Sequence, residues 1–334
     1  MASNGNRPVA VEGGILMPER LVPHPNSVSP EARAFLGMMT QYMAMPRPPY
    51  PAIDDMDGWR ANREASDANM SAMSKGFFGD AADNPTETTT IAGVTVHVAA
   101  PGIVFPEDRI YLDIHGGALI YGSGEFCRAG AAASAARFGV RTFSVDYRVP
   151  PEHCFPAGLD DCLAVYADLV TRYDPQKIVV GGASAGGNLS AALMLRARDE
   201  GLPLPAGLVL ITPELDLTES GDSFEVNKFA DVVLVTGLPE VNALYAAGHN
   251  LAHPYLSPLF GDFTKGFPPT LLQAGTRDVF LSNVARMHQS LRRAGVPVEI
   301  LLCEAMPHGG FAGCPEDQAM YADIRDFIWR CWER

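Results

Sequence analysis

The sequence predicts an α/β protein whose mostly parallel central sheet is flanked by helices. From about residue 88 onward, short apolar stretches rich in β-branched residues alternate with longer helical stretches, which is typical of βαβ units. One of these strands runs directly into a Gly-x-Ser-x-Gly turn at residues 182–186, and a helical pattern follows the turn. The chain has 334 residues, of which 47% are hydrophobic, so it can bury a large core.

Residues 1–80 precede the alternating region and contain two helical patterns. Residues 1 to about 30 are rich in Pro, Gly, Asn and Ser, and we expect them to be irregular at the start. Residues 30–45 and 54–75 carry apolar side chains at helical spacing, and the prolines of residues 46–51 separate the two patterns. Because both helices come before the first strand of the sheet, we predict that they contribute to a cap.

A larger α/β domain is predicted over residues 81–334, with an insertion at about 214–258. The strands are predicted at residues 88–99, 109–114, 140–146, 178–180, 206–212, 270–274 and 298–303. The helices are predicted at residues 124–138, 157–173, 188–198 and 282–294. The insertion has helix-like and turn-like pieces without a convincing strand. At this place it would cover the sheet edge above the Gly-x-Ser-x-Gly turn, as the second part of the cap.

The charge and the cysteines narrow the possible partners and location. The formal net charge is −14, so nucleic acid and anionic membrane surfaces would repel the chain. No stretch approaches the roughly 20 apolar residues of a membrane span, and the N-terminus lacks the apolar run of a signal peptide. The six cysteines form no Cys-x-x-Cys pair, which predicts reduced thiols, no metal site and a cytoplasmic location.

The turn around Ser184 carries the first chemical signal. A strand, a tight turn with serine at its apex and a helix together form the context in which this pattern marks a nucleophile elbow. Gly182 and Gly186 suit the turn because a side chain at either position would collide with the strand or the helix. The helix N-terminus points its free N–H groups toward developing negative charge. By itself, the motif is equally compatible with an ordinary glycine-rich turn.

A serine hydroxyl needs a base, and the base needs an acid that fixes its tautomer. Asp278 follows the strand at 270–274 and His308 follows the strand at 298–303, so both lie past carboxyl ends of strands, where open α/β sheets bind ligands. The order Ser184, Asp278, His308 is the one that accompanies such elbows. Considered separately, Asp278 could be a loop carboxylate or a helix cap, and His308 a loop histidine. The competing acids and bases are Asp216, Asp231, His253 and His288.

A second loop is predicted to complete the site. His115, Gly116, Gly117 and Ala118 follow the strand at 109–114. The backbone N–H groups of Gly116, Gly117 and Ala185 are predicted to form an oxyanion hole, in which each well-placed donor contributes about 3–4 kcal/mol to the transition state. His115 is expected to order the loop by hydrogen bonding. The alternative is a merely flexible turn.

Four segments in register resemble the hormone-sensitive lipase family of α/β-hydrolase esterases. They are His-Gly-Gly-Ala at 115–118, Asp-Tyr-Arg-Val-Pro-Pro-Glu-His at 146–153, Gly-Ala-Ser-Ala-Gly-Gly at 182–187, and the pair Asp278 and His308. The segment at 146–153 is the most specific, because nothing about a general βαβ fold requires it. The chain departs from the family at Ala118, where a third glycine is usual, and at Ala183, where many members carry an acidic residue.

The resemblance covers about residue 90 to the C-terminus and implies an α/β-hydrolase fold with a helical cap. It implies a serine carboxylesterase that works through an acyl-enzyme and needs no metal or cofactor. The substrates we expect are small-to-medium neutral esters with short acyl chains. Apolar residues beside the motifs are the candidates for the substrate pocket: Leu119, Tyr121, Leu215, Phe280 and Phe311.

Two other functions are weighed against the esterase. Lactone or amide hydrolysis, of the monoterpene lactone hydrolase or arylformamidase type, uses the same fold. A non-catalytic ligand receptor is a weaker alternative, because Ser184, Asp278 and His308 are all present. The family often pairs through an edge strand, so the resemblance also implies a possible homodimer through the last predicted strand.

Overall fold

The computed structural model describes residues 7–19, 21–45, 48–235 and 237–333. The strands are β1 (Val9–Val11), β2 (Gly14–Leu16), β3 (Thr86–Ile91), β4 (Val94–Ala99), β5 (Ile110–Ile114), β6 (Arg141–Val145), β7 (Ile178–Ala183), β8 (Gly207–Ile211), β9 (Thr270–Gly275) and β10 (Val298–Cys303). The helices are α1 (Pro30–Met43), α2 (Met56–Ala72), α3 (Ser74–Phe78), α4 (Glu125–Phe138), α5 (Ala157–Arg172), α6 (Ala185–Asp199), α7 (Ser223–Val226), α8 (Pro239–Ala246), α9 (Leu281–Arg293) and α10 (Pro315–Cys331).

Within the described residues, eight strands form one sheet in the order β10-β9-β8-β7-β5-β6-β4-β3. The strands from β10 to β6 in this order are parallel, whereas β4 runs antiparallel to both β6 and β3. The carboxyl ends of β5, β7, β8, β9 and β10 therefore meet at one edge of the sheet, which is where such sheets bind ligands. The predicted fold class, a mostly parallel α/β sheet flanked by helices, is confirmed.

The central strands are buried on both faces. Val180 and Leu208 belong to one apolar cluster, which contains side chains of α5, α6 and α9. Val179 and Val209, their neighbours along the strands, belong to a second cluster with side chains of α1 and α10. Successive strand residues point to opposite faces, so two buried faces require the nearly continuous apolar runs that the sequence shows.

The strand predicted at 88–99 is wrong in one respect, because two antiparallel strands occupy this region. β3 and β4 are joined by a turn at Ala92 and Gly93, whose φ angles are 49° and 84°. Most of β3 is exposed or half-buried, so it lacks the apolar signal of the other strands. The antiparallel pair extends the sheet at the edge opposite β10.

The ends of the chain also differ from the prediction. The N-terminal segment expected to be irregular contains the antiparallel pair β1 and β2, while residues 1–6 lie outside the described part. The helix predicted at 54–75 ends at Ala72, and α3 follows it. Helix α10 was not predicted, although Met320, Ile324, Phe327 and Ile328 recur at helical spacing and are all buried.

The remaining predictions concern the break, the insertion and the edge of the sheet. The predicted break at 46–51 includes Pro46 and Arg47, which lie outside the described residues. Between β8 and β9, residues 212–235 and 237–269 contain α7 and α8 and no strand. None of the helices in the described ranges has the length and apolar content to cross a membrane.

At the β10 edge, Ile300 and Leu302 are exposed. The homodimer along this edge stays a prediction, which light scattering tests.

Candidate active site

Ser184 lies at a strained turn between β7 and α6. Its φ and ψ angles are 56° and −121°, a conformation that non-glycine residues rarely adopt. The N–H of Ser184 donates to the Ile211 carbonyl at 2.9 Å, which holds the turn against β8. A Cβ on Gly182 would lie 2.4 Å from the Ile114 oxygen, and one on Gly186 only 1.8 Å from it. The flanking glycines are therefore required by the close approach of β5.

The three residues predicted as a triad lie within contact of one another. His308 Nε2 is 3.0 Å from Ser184 Oγ, and His308 Nδ1 is 3.3 Å from Asp278 Oδ1. Asp278 is fully buried, and only 12% of the His308 side chain is exposed. The edge of the Phe280 ring packs against the imidazole, with ring centroids 4.9 Å apart. Loops after β9 and β10 thus bring the acid and the base to the serine at the end of β7.

Thr212 is a site residue that sequence reasoning did not find. Its hydroxyl donates to Asp278 Oδ2, and its Oγ1 lies 2.7 Å from His308 Nδ1. The Nδ1–H of His308 is therefore shared between a carboxylate and a hydroxyl oxygen. Thr212 directly follows β8, the strand between β7 and β9 in the sheet. Its place past the carboxyl end of a central strand was the signal that could have found it.

Asp231, one of the competing acids, holds the backbone of the site. Its carboxylate accepts the N–H of His308 at 3.2 Å and the N–H of Val279 at 3.1 Å. It also accepts two N–H groups of its own loop, from Val233 and Leu234. The buried Asp231 carboxylate therefore ties the loops of Asp278 and His308 to the insertion between β8 and β9.

The other competing residues make contacts away from the serine. Asp216 accepts from Arg286 at 2.6 Å and from Ser220 at 2.7 Å. His253 accepts the backbone N–H of Tyr255, and His288 lies within α9. None of these contacts, within the described residues, involves Ser184, Asp278 or His308.

Charges around His308 favour its protonated form. Burial by itself lowers the pKa of His308, but the carboxylates of Asp278, Asp231 and Glu214 outweigh burial and raise the pKa above its ordinary value. Burial, assisted by the charge of Asp278, raises the pKa of Asp231 to about 6. Burial likewise raises the pKa of Glu214 to about 7. The imidazolium that forms when His308 takes a proton is therefore stabilised by its surroundings.

The loop after β5 passes over the serine. A Cβ on Gly116 would lie 3.6 Å from Ser184 Cβ. His115 Nδ1 donates to the Gly116 carbonyl at 2.8 Å, and the ring stacks on Tyr147 with centroids 4.0 Å apart. The Tyr147 hydroxyl in turn donates to the His115 carbonyl at 2.9 Å. The segment at 146–153 therefore fixes the conformation of this loop.

The N–H groups predicted to bind an oxyanion are available. Within the described residues, the N–H groups of Gly116, Gly117 and Ala185 donate to no protein acceptor. The loop has positive φ angles of 128° at Gly117 and 51° at Ala118. An alanine in this left-handed region costs about 1 kcal/mol relative to glycine. The family's usual third glycine would remove that strain.

The five candidate pocket residues differ in their burial and in the elements that they contact. Leu119, Leu215, Phe280 and Phe311 are almost fully buried. The Phe311 ring meets the edge of Phe35 from α1, with centroids 6.2 Å apart. Tyr121 is half-buried, and its hydroxyl donates to Asn62 of α2 at 2.6 Å. Two of the five thus contact the N-terminal helices, whereas Phe280 contacts the base itself.

Helix α2 is attached to the segment at 146–153 by charged side chains. Glu152 accepts from Arg60 at 2.8 Å and forms an ion pair with Arg63. Arg63 also donates to the Pro150 carbonyl at 3.3 Å. Asp67 accepts the N–H of Gly122 at 2.7 Å. Because Gly122 follows the loop over Ser184, α2 contacts two of the segments that build the site.

A strained serine at the end of a central strand, a buried Asp–His pair and free N–H groups above the serine define an α/β hydrolase. The chain matches the family model described as alpha/beta hydrolase fold over residues 111–312 and belongs to that family. It is 34% identical over 223 residues to an acetyl-hydrolase of Streptomyces hygroscopicus, covering 66% of this chain and 74% of that protein.

Two solved structures extend the similarity over nearly the whole chain. An esterase designated E25 superposes with a TM-score of 0.83 at 34% identity, covering 94% of this chain and 98% of that one. An esterase from the bacterial hormone-sensitive lipase family superposes with a TM-score of 0.77 at 32% identity, covering 91% of this chain and 99% of that one. The predicted membership in the hormone-sensitive lipase group, and with it the predicted class of carboxylic ester hydrolase, is confirmed.

Proposed function

We propose that this chain hydrolyses carboxylic esters through an acyl-enzyme on Ser184. The observation that carries the proposal is the 3.0 Å separation between His308 Nε2 and Ser184 Oγ. As Oγ attacks the ester carbonyl, Nε2 takes its proton, and the new imidazolium is stabilised by the buried carboxylates around it. Asp278 and Thr212 keep the other ring proton on Nδ1, so Nε2 stays available as the base.

The negative charge on the carbonyl oxygen is received by the N–H groups of Gly116, Gly117 and Ala185. These N–H groups are held in place by the backbone and donate no hydrogen bond within the described part of the protein, so they are preorganised for the oxyanion. His308 then gives its proton to the leaving alcohol. Water attacks the acyl-enzyme with His308 again as base, which releases the acid and restores Ser184.

We further propose that the substrates are small-to-medium neutral esters with short acyl chains. The support comes from the close packing around the site, where Phe280 contacts His308 and Phe311 contacts α1. A relative named as an acetyl-hydrolase is consistent with a short acyl group. In this proposal, residues 1–80 and the insertion at about 214–258 form the cap that limits substrate size.

Hydrolysis of a p-nitrophenyl ester series from acetate to palmitate tests the proposal. Wild-type turnover should peak at short chains, and Ser184→Ala should lower kcat by about 10⁴-fold or more, because no other group can form the acyl-enzyme. Ser190→Ala is the matched control. Ser190 lies in α6, the helix that follows Ser184, and its buried hydroxyl has no hydrogen-bond partner among the described residues.

Three results would contradict the proposed function. Undiminished turnover in Ser184→Ala would remove the serine from the mechanism. Activity on lactones or amides without activity on any ester would favour the alternative hydrolases. A ligand that binds wild type without being turned over would favour the receptor.

A further inference from the structure

Behind the loop over Ser184 lies a cluster of three metal-ligating side chains that take no part in the proposed proton transfers. One ligand atom from each of His115, Cys127 and Asp146 lies within 4.8 Å of the other two. His97 Nε2 lies 3.5 Å from Asp146 Oδ2, so His97 borders this group of three on the side of Asp146. His97, His115 and Cys127 are 6%, 5% and 0% exposed. The ligands come from β4, α4 and the ends of β5 and β6, so no sequence spacing announces them.

The hydrogen bonds of His115 determine which of its nitrogens can bind an ion. The Gly116 carbonyl can only accept, so the ring proton of His115 is on Nδ1. Nε2 therefore carries a lone pair, and within the described residues this buried atom has no hydrogen-bond partner. A histidine that donates one N–H to a backbone carbonyl and presents the other nitrogen is the usual arrangement of a metal ligand.

The neighbours of this lone pair are also acceptors or acids. Asp146 is a carboxylate whose Oδ1 accepts the N–H of Gly124 at 3.1 Å. Cys127 Sγ lies 3.4 Å from Ser144 Oγ. His97 Nε2 likewise lacks a hydrogen-bond partner among the described residues, and its Nδ1 lies 3.0 Å from Thr88 Oγ1, which can accept the ring proton. Among the described residues, no lysine or arginine pairs with Asp146, whose ion-pair partner is His97.

We propose that His97, His115, Cys127 and Asp146 form a binding site for Zn²⁺. A set of two imidazoles, one thiolate and one carboxylate suits a tetrahedral, borderline-soft divalent cation. A thiolate and a carboxylate balance its two positive charges, so the buried complex is neutral. Binding releases the Cys127 proton to solvent, and the sulfur lone pair forms the metal bond.

The fit requires a small contraction of the cluster. Zinc bond lengths of about 2.0–2.3 Å place tetrahedral ligand atoms about 3.3–3.7 Å apart. The three atoms of His115, Cys127 and Asp146, which lie within 4.8 Å of one another, must therefore approach by up to about 1.5 Å, and His97 must turn toward them from its place beside Asp146. In this proposal, the movement comes from side-chain rotation at Cys127, Asp146 and His97. The bound ion would link four elements of the sheet and its flanking helix.

Cobalt(II) is the probe for this site, because thiolate ligation gives it a near-ultraviolet charge-transfer band. Full-length protein freed of metal by a chelator is titrated with Co²⁺. The expected result is one Co²⁺ per chain, a thiolate band and tetrahedral visible bands, all removed by an equivalent of Zn²⁺. Zn²⁺ should also raise the melting temperature, since it binds only the folded arrangement.

Variants decide whether the band belongs to this cluster. Cys127→Ser should abolish the thiolate band, and His97→Gln should weaken Co²⁺ binding by at least about 10-fold. Cys162→Ser changes another fully buried cysteine and should leave the band intact. Esterase turnover and the melting temperature without metal show that each variant is folded.

The proposal is overturned if folded wild type gives no thiolate band or if the band survives in Cys127→Ser. The first result would mean that Cys127 does not ligate the ion, and the second that Co²⁺ binds another cysteine. Because binding is read from absorbance, either result is independent of whether Ser184 is the nucleophile.

Discussion

Gly186→Ala places a methyl group where the structure has no space for it. A Cβ on Gly186 would lie 1.8 Å from the Ile114 oxygen, 2.7 Å from the Ile114 carbonyl carbon and 2.8 Å from the His115 oxygen. Ordinary contacts between such atoms are about 3.5 Å, so the end of β5 must move away from α6 by about 1.5 Å. All three obstructing atoms are backbone, and no change of rotamer relieves the contact.

The displacement would reach the proposed oxyanion donors. Ile114 and His115 lead directly into Gly116 and Gly117, so these N–H groups would move relative to Ser184. A misplacement of about 1 Å can lower the rate about 100-fold, and overpacking costs about 1–3 kcal/mol. We expect Gly186→Ala to lower kcat on p-nitrophenyl butyrate by at least about 100-fold. The free energy of unfolding should fall by about 3 kcal/mol.

Gly130→Ala provides the matched control. Gly130 is a buried glycine within α4, and a Cβ there would lie 3.5 Å from the nearest atom, Cζ of Phe78. Alanine is favoured over glycine in a helix by about 0.5–1 kcal/mol, so this variant should be at least as stable as wild type and fully active. Steady-state kinetics and denaturant unfolding measure both properties. Wild-type kcat and stability in Gly186→Ala would refute the steric reasoning.

Two further predictions concern the acid and the base. Thr212→Val removes the hydroxyl that donates to Asp278 Oδ2, and such a bond to a charged acceptor is worth about 1.5–3 kcal/mol. We therefore expect kcat of Thr212→Val to fall about 10-fold or more. Thr212→Ser keeps the hydroxyl, and its kcat should stay within a few fold of wild type. An unchanged kcat in Thr212→Val would show that Asp278 alone orients the base. His308 must be neutral to accept a proton and its pKa is raised, so kcat/KM should fall as the pH drops through a value above the ordinary 6.5. Burial raises the pKa of Glu214 to about 7, so Glu214→Gln is the control for a limb that belongs to Glu214 itself. The variant should keep the limb, moved to a lower pH because the Glu214 charge no longer raises the pKa of His308. Loss of the limb in this variant, or a limb centred below 6.5 in wild type, would contradict the assignment to His308.

Local patterns were sufficient for most of the elements. The mostly apolar runs of β5, β7 and β8 predict buried strands, because a strand covered on both faces needs apolar side chains at nearly every position. β3 was not predicted as a separate strand, because its exposed position at the sheet edge allows threonines in place of apolar residues. Helix α10 carries apolar residues at helical spacing, so the sequence contains the signal for this helix although it was not predicted.

Some residues of the candidate site could be predicted from local patterns, and others could not. Ser184, Asp278 and His308 could be predicted because each follows a strand in a motif whose turn chemistry is local, and their order along the chain limits the combinations. Thr212 follows a central strand and Asp231 was among the competing acids, but neither fact says which groups they contact, so their bonds to Asp278 and His308 could not be predicted. Their contacts with Asp278 and His308 join positions 66 and 77 residues apart.

By itself, the sequence determined the fold class and the strained serine turn, since glycine requirements and apolar periodicity act over a few residues. It also predicted Asp278 and His308 as the acid and the base. Only the tertiary structure decided which groups surround them. It brought Glu152 to Arg60 and Arg63 of α2, and it placed the ligand atoms of His115, Cys127 and Asp146 within 4.8 Å of one another. Such contacts depend on the strand order of the sheet and on side-chain packing across it, and neither is encoded in any local stretch of the chain.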